Sequence, residues 1–252
     1  MRVWAQVALG ATMLSMFGGV PALAAEIIIF ANQGAASATR DLAPAFEKAS
    51  GHKAVVKFMS GAAMTEALKA NAPGDVVSSL SEAFDGLVKE GKVVAGTVAE
   101  YARAGNGVAV KAGAPKPDIS TVEGFKQAML NAKSIGHSNN GTGPYNTKLF
   151  QRLGIYDQIK DKVKIIEGRP VATAVAAGDV EIGIQQTNVI QPVEGTQYLG
   201  PLPYELMEYG RFSIGVLTLS KEPEAAKAFV KFATSPEAAP LIRKSSMEPP
   251  AK

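Results

Sequence analysis

Short β-branched runs alternate with longer stretches of helical spacing from Glu26 onward, and that alternation confines the chain to the α/β folds. Glu26-Ile27-Ile28-Ile29-Phe30 is an unbroken apolar run, the pattern of a strand buried on both faces. Further strands are predicted at Lys53 to Met59, Asp75 to Val77, Gly107 to Val110, Lys133 to Gly136, Lys162 to Ile166, Glu181 to Ile184 and Phe212 to Leu219. Helical spacing runs from Ala38 to Ala49, with Pro44 inside it to remove one backbone bond or kink the helix. It recurs from about Ala62 to Ala70, Ala83 to Lys89, Pro144 to Leu153, Val171 to Ala177, Glu222 to Ala233 and Glu237 to Lys244. Strand, loop and helix repeated this way imply mainly parallel sheets flanked by helices.

Residues 1–25 stand apart from the alternation. Arg2 opens them, an apolar stretch reaches Met16, and Gly18-Gly19 and Pro21 precede the small-residue run Ala22-Leu23-Ala24-Ala25. Charged, greasy and small residues in that order read as a cleavable secretory signal, cut after Ala24 or Ala25. The apolar part is short beside the ~20 residues of a membrane span. Cysteine is absent, so an exported product depends on its core rather than on disulfides, and it has no cysteine to carry a lipid anchor. An unanchored exported protein is retained only inside an outer membrane, which points to the periplasm. With 26 basic and 23 acidic residues, the net charge offers no footprint for nucleic acid.

Two connections divide what remains. Gly105-Asn106-Gly107 and the stretch between Gln197 and Arg211 read as linkers, so the chain crosses twice between two lobes. The expected layout is 26–105 with 206–252 as one lobe and 106–205 as the other. A cleft between two α/β lobes, lined by the carboxyl ends of their strands, is where such an architecture takes a small ligand.

Catalysis finds little support. There are two histidines, and neither a G-x-S-x-G elbow nor a metal-type histidine pair accompanies them. His52 follows a helix end, whereas His137 follows a strand and is a candidate cleft residue. The binding pattern is fuller. Asn32-Gln33-Gly34-Ala35-Ala36-Ser37, Ser60-Gly61-Ala62-Ala63 and Ser138-Asn139-Asn140-Gly141-Thr142-Gly143 each hand a strand over to a helix. Glycine admits a ligand close to the backbone, and the helix start offers free N–H groups to an anion. Arg169, between strand and helix, is placed either to clamp a carboxylate or to pair with a neighbouring acid. Gln185-Gln186-Thr187-Asn188 forms a polar row after a strand.

These segments resemble a family. FANQGAASATRDLAPAFEKASGHK (30–53), VVKFMSGAAMTEAL (55–68), NAPGDVV (71–77), GNGVAVKAGAP (105–115), TKLFQRLGIYDQI (147–159) and GDVEIGI (178–184) are similar in order and spacing to type II periplasmic solute-binding proteins, in particular the molybdate-binding branch of ABC importers. The resemblance implies a two-lobe α/β binding protein that closes on a small anion and delivers it to an inner-membrane ABC permease. It implies a monomer without cofactor, metal site or enzymatic activity. In the molybdate binders two serines at the ends of the first two strands donate to the oxyanion; the matching positions here are Gly34 and Gly61, with Ser37 and Ser60 displaced nearby. The resemblance further places backbone amides at Thr142 and Gly168 in the cleft, and puts Gln186 where the family has a tyrosine.

Glycine for serine removes two donors and widens the site. The expected ligand is therefore a small organic anion held partly by Arg169, with molybdate itself the alternative. The expected site comprises Asn32, Gln33, Gly34, Ser37, Ser60, Gly61, Ala62, His137, Asn139, Thr142, Gly143, Gly168, Arg169 and Gln186. An exported hydrolase using His137, or a ligand sensor on the same fold, are the alternatives in function.

Overall fold

The computed structural model describes residues 24–139, 143–191 and 193–250. Most of the segment expected to be a signal, and Thr142 with its two preceding residues, lie outside the described residues. None of the described helices is long and apolar enough to cross a membrane.

The chain order is β1 (Glu26–Asn32), α1 (Ala36–Ser50), β2 (Lys53–Met59), α2 (Gly61–Lys69), β3 (Val76–Leu80), α3 (Phe84–Lys89), β4 (Ala99–Ala104) and β5 (Asn106–Lys111). It continues with α4 (Val122–Asn131), β6 (Ile135–Ser138), α5 (Gly143–Arg152), α6 (Tyr156–Ile159), β7 (Val163–Ile166), α7 (Val171–Ala177), β8 (Ile182–Gln186) and α8 (Thr187–Ile190). It closes with β9 (Thr196–Pro201), β10 (Gly210–Val216), α9 (Pro223–Ala233) and α10 (Ala239–Lys244).

The strands form two five-stranded sheets, ordered β2-β1-β3-β10-β4 and β7-β6-β8-β5-β9. Both are mixed. In the first, β10 alone opposes the others, and in the second β5 does. The connectivity explains both reversals. β4 passes through Gly105 into β5, and residues 202–209 carry β9 into β10. A strand that enters a lobe through a crossing begins at the edge where the other strands end, so it runs the opposite way.

β1 shows why its apolar run is unbroken. Ile27 and Ile29 enter a core with α1, α9 and α10, centred on Leu42, Phe46, Phe212 and Phe229. Phe30, on the other face, joins Met64, Leu68, Val77 and Phe84 beneath α2 and α3. The second sheet is covered similarly. Ile135, Ile182, Ile184 and Val108 pack with Phe125 and Phe150 of α4 and α5. On its reverse side Gly136 and Gly183 are register partners. A Cβ on Gly183 would stand 2.6 Å from Val175 and one on Gly136 2.9 Å from Val180, so this glycine pair lets α7 seat directly on the sheet.

Pro44 does not break α1, which continues to Ser50 and ends on Gly51 at φ 77°. Pro44 and Arg40, whose carbonyl loses its donor, are both exposed, so water can take the missing bond. Two segments differ from the sequence expectation. Ala99–Ala104, to which the sequence pattern assigned no strand, is one, and Gln197 to Pro201, expected within a connection, belongs to β9. β9 is an edge strand, where Gly200 and Pro201 are tolerated.

One buried carboxylate ties the first lobe together. Asp75 Oδ2 accepts from the Ile28 amide at 2.8 Å, while Oδ1 accepts from Ser220 Oγ at 2.7 Å and from the Lys221 and Glu222 amides. That carboxylate fixes the start of β3 against both β1 and the approach to α9.

Candidate functional site

The carboxyl end of β1 turns on Asn32, whose Oδ1 accepts from the Gly34 amide at 2.8 Å. The other side of that carboxamide faces the β2–α2 turn. Nδ2 is 3.9 Å from where a Cβ on Gly61 would stand, with no other atom within 4 Å. Gly34 is tighter, since a Cβ there would lie 3.0 Å from the Phe212 ring and 3.2 Å from Asn32 Oδ1. Ser60 caps α2, accepting from the Ala63 amide at 3.2 Å. The amides of Gly61 and Ala62 have no acceptor among the described residues, as the first turn of a helix dictates. Gln33, Ser60, Gly61 and Ala62 are all exposed. Asn32, Gly34, Ser60, Gly61 and Ala62 thus meet at the ends of two adjacent strands, presenting N–H groups and small side chains. Such a surface can hold an anion without a cation.

Across from it, Asn188 of α8 donates its carboxamide to the Gly34 carbonyl at 2.8 Å and to Ser37 Oγ at 3.0 Å. Asn188 is buried, and its Oδ1 has no partner. Gln186, which precedes α8, is also buried, with Nε2 2.7 Å from where a Cβ on Gly210 would stand. Gln186 therefore packs against the start of β10 at the crossing between lobes.

The remaining expected residues of the second lobe lie around the ends of β6 and β7. His137 is 2% exposed; its Nδ1 bonds the Ser138 carbonyl at 2.8 Å and its Nε2 has no partner. Burial lowers its pKa below the ordinary histidine value, opposed by the bond to Ser138. Gly143 backs onto the Ser138 carbonyl so closely that a Cβ would clash with it. Asn139 is exposed and donates to Glu167 at 2.9 Å. Gly168 is exposed at φ 70°, a backbone shape that favours glycine.

Arg169 has an acidic partner of its own. Its guanidinium pairs with Asp179 at 2.5 Å, both side chains about half exposed. Asp179 precedes β8, at the sheet edge opposite the one where the β8 and β6 strands end. The Val171 amide at the start of α7 is taken by Gln185 Oε1 at 2.8 Å, so α7 offers one donor fewer than a bare helix start.

Sequence reasoning passed over Asn188, Asn106 and Asn146. Asn106 Nδ2 donates to Asn146 Oδ1 at 3.1 Å inside the second lobe, leaving Asn106 Oδ1 and Asn146 Nδ2 without partners. The first two sat inside noted tracts, a polar row and a Gly-Asn-Gly linker. No local signal marked Asn146 within the helical pattern of α5. Among the described residues no group of three or more His, Asp and Glu is arranged to hold a metal.

The family model for bacterial extracellular solute-binding proteins matches residues 27–248, nearly all of the described chain. The chain belongs to that family. Its type II, molybdate-binding-like character is carried by the relatives. The molybdate-binding protein ModA of Azotobacter vinelandii is 30% identical over 94% of this chain and 94% of its own length. The solved structure of the A. vinelandii periplasmic molybdate-binding protein superposes with a TM-score of 0.72 at 20% identity, covering 90% of this chain and all of that one. A solute-binding protein of this branch has another relative of different name. "Aconitate isomerase" of a Pseudomonas species is 32% identical over 96% of this chain and 95% of its own length. The expected absence of enzymatic activity therefore rests on the fold alone, and a relative named for an enzyme stands beside it.

Proposed function

We propose that the cleft of this solute-binding protein takes a small polycarboxylate anion of the aconitate kind, in the periplasm, rather than a tetrahedral metal oxyanion. The observation that carries this reading is the pair of glycines at the ends of β1 and β2. Gly34 and Gly61 replace side-chain donors with bare backbone, and the space beside Gly61 is open. A tetrahedral oxyanion needs a close cage of donors, and each missing hydrogen bond to a charged group weakens it by about 1.5–3 kcal/mol. A longer anion uses the vacated space and still meets the free amides of Gly61 and Ala62, with Asn32 beside them. The relative named for aconitate supplies the ligand class. Delivery to an inner-membrane ABC permease by a monomer is the use to which the family puts such a cleft, and it is part of this proposal.

The test is a thermal-shift panel on the mature chain after unfolding and refolding to strip cargo. It holds molybdate, tungstate, sulfate, cis- and trans-aconitate, citrate and tricarballylate. Ligand at about 100 times its dissociation constant adds about 2.7 kcal/mol, a rise of several degrees. Stabilisation by polycarboxylates and none by molybdate is the expected result. Stabilisation by molybdate or tungstate alone overturns it.

A further inference from the structure

A second cavity lies away from the loops described above, where the chain crosses between lobes. The first sheet runs from β2 to β4 and the second from β7 to β9, so β4 and β9 are the edges remote from β2 and β7. A cavity of about 370 Å³ is lined from both of these edges. The passage from β4 to β5 gives it one wall, with Arg103 and Gly105, and the passage from β9 to β10 gives it another. The residues just past α10 close it, since Glu248 and Arg103 exchange both backbone hydrogen bonds at 2.8 Å. No residue of the expected cleft site is among those that line it.

The walls are mostly apolar. Tyr198, Tyr204 and Tyr209 supply three rings, and Met207 and Met247 supply thioethers, which make good contacts at the edge of an aromatic ring. Two charges reach the cavity, and they cancel. Glu248 Oε2 accepts from Arg103 Nε at 3.1 Å and Nη2 at 2.7 Å, while its Oε1 accepts from the Tyr209 hydroxyl at 3.3 Å. The same guanidinium stands 4.4 Å from the centre of the Tyr209 ring. A charged guest would have to break this set, so the lining favours a neutral one. One polar group is left over. The half-buried Tyr198 hydroxyl has no partner among the described residues. A Cβ on Gly107 would stand 2.8 Å from it, which puts the hydroxyl at the start of β5, next to the first crossing. Burial pushes the phenol pKa up to about 12, so the group stays protonated and can donate or accept.

We propose that this cavity is a second ligand site, which takes a neutral aromatic molecule of one or two rings carrying one hydrogen-bonding group. The volume sets the size, since 370 Å³ lies near the small end of the roughly 300–1,000 Å³ of ligand pockets. The tyrosine rings hold the plane of the guest by offset or edge-on contact. The Tyr198 hydroxyl fixes its orientation, and an uncharged guest leaves the pair of Arg103 with Glu248 intact. Tyr204, 86% exposed, stands at the mouth. The site is separate from the cleft and does not rest on the ligand proposed for it.

The experiment is equilibrium dialysis of the protein from Glu26 onward against indole, and separately against 1-methylindole, which lacks the N–H. The one tryptophan of the sequence is Trp4, so that protein adds no indole fluorescence and the ligand is read directly. Saturable binding of one indole per chain is expected. The indole N–H donates to the Tyr198 oxygen, and Y198F keeps the ring while removing that acceptor. The ratio of the two dissociation constants should therefore shift about fivefold between wild type and Y198F, the worth of one hydrogen bond. Y209A removes a wall and should weaken both ligands about tenfold. Uptake that rises linearly without saturation overturns the proposal, because greasy surface alone would give it. An unchanged ratio in Y198F overturns it too, as does a folded Y209A that binds both ligands like wild type. If Y209A fails to fold, the Y198F ratio decides alone.

Discussion

The side-chain amide of Asn188 donates to the Gly34 carbonyl at 2.8 Å, joining the end of the second sheet to the first loop of the first. A second bond from the same nitrogen reaches Ser37 at 3.0 Å. Both acceptors lie in the turn that the sequence marks as anion-binding, so lobe closure and the binding loop are linked through one residue. N188A removes both bonds and frees the lobes to part. Each bond is worth about 1 kcal/mol, so the loss of both lowers ligand affinity by roughly 30-fold. Small-angle scattering of the unliganded variant should show a larger radius of gyration than wild type. An unchanged radius and unchanged affinity would mean that the contact is incidental.

Asp75 is the counterpart inside one lobe. It is buried and accepts from four donors on two separate segments, Ile28 of β1 and the run Ser220 to Glu222. D75N turns one acceptor into a donor facing N–H or O–H groups, which leaves buried donors unpaired. The expected cost is about 2–3 kcal/mol, seen as a lower urea midpoint at unchanged slope. A midpoint equal to wild type would show that the cluster rearranges freely.

How much of this was readable beforehand depends on what each residue does locally. The unbroken apolar run of β1 and the glycine stop of α1 are encoded in neighbouring residues, so strand, helix and boundary all fell near their observed places. α4 carried a signal that was passed over. Thr121 caps it through the Gly124 amide, and Phe125, Ala128 and Met129 give it an apolar face. β4 and β9 were missed for another reason. Arg103 and Glu100 in one, and Gly200 and Pro201 in the other, read as loop, and only pairing with β10 and β5 makes them strands. The loops at Asn32, Ser60 and Ser138 were legible because strand-to-helix turns have a local grammar. The Asn106–Asn146 and Asn188–Gly34 contacts join residues 40 and 154 positions apart, and no spacing rule reaches that far.

Arg169 was attractive in sequence because it stands alone between a strand and a helix. Its pairing with Asp179 gives a different expectation. R169A breaks a half-exposed ion pair, so it should change stability by no more than about 1 kcal/mol. Affinity for aconitate should stay within about twofold of wild type by calorimetry. A tenfold loss would place the guanidinium on the ligand after all.

The two glycines of the first lobe are not equivalent. A serine Cβ at position 61 has open space, whereas one at position 34 presses on Phe212 and Asn32. G61S should therefore fold with a melting temperature close to wild type. G34S should lose about 1–3 kcal/mol through overpacking. Because the added hydroxyl of G61S occupies the space left for a longer anion, aconitate binding should weaken in that variant. Unchanged aconitate binding by G61S would show that the ligand lies elsewhere.

His137 also sets an acid limit on the fold. Burial holds its pKa below the unfolded value of about 6.5, so below that pH the unfolded chain takes up a proton that the native chain refuses. The unfolded state then binds more protons, and stability falls as pH drops from about 6.5 toward the native pKa. Carboxylates add their own acid dependence at lower pH, so the informative quantity is a difference between proteins. H137Q has no imidazole to titrate and should lose less stability than wild type between pH 7 and 5.5. Urea midpoints at the two pH values measure this directly. Parallel losses in the two proteins would mean that the imidazole reaches solvent when it charges.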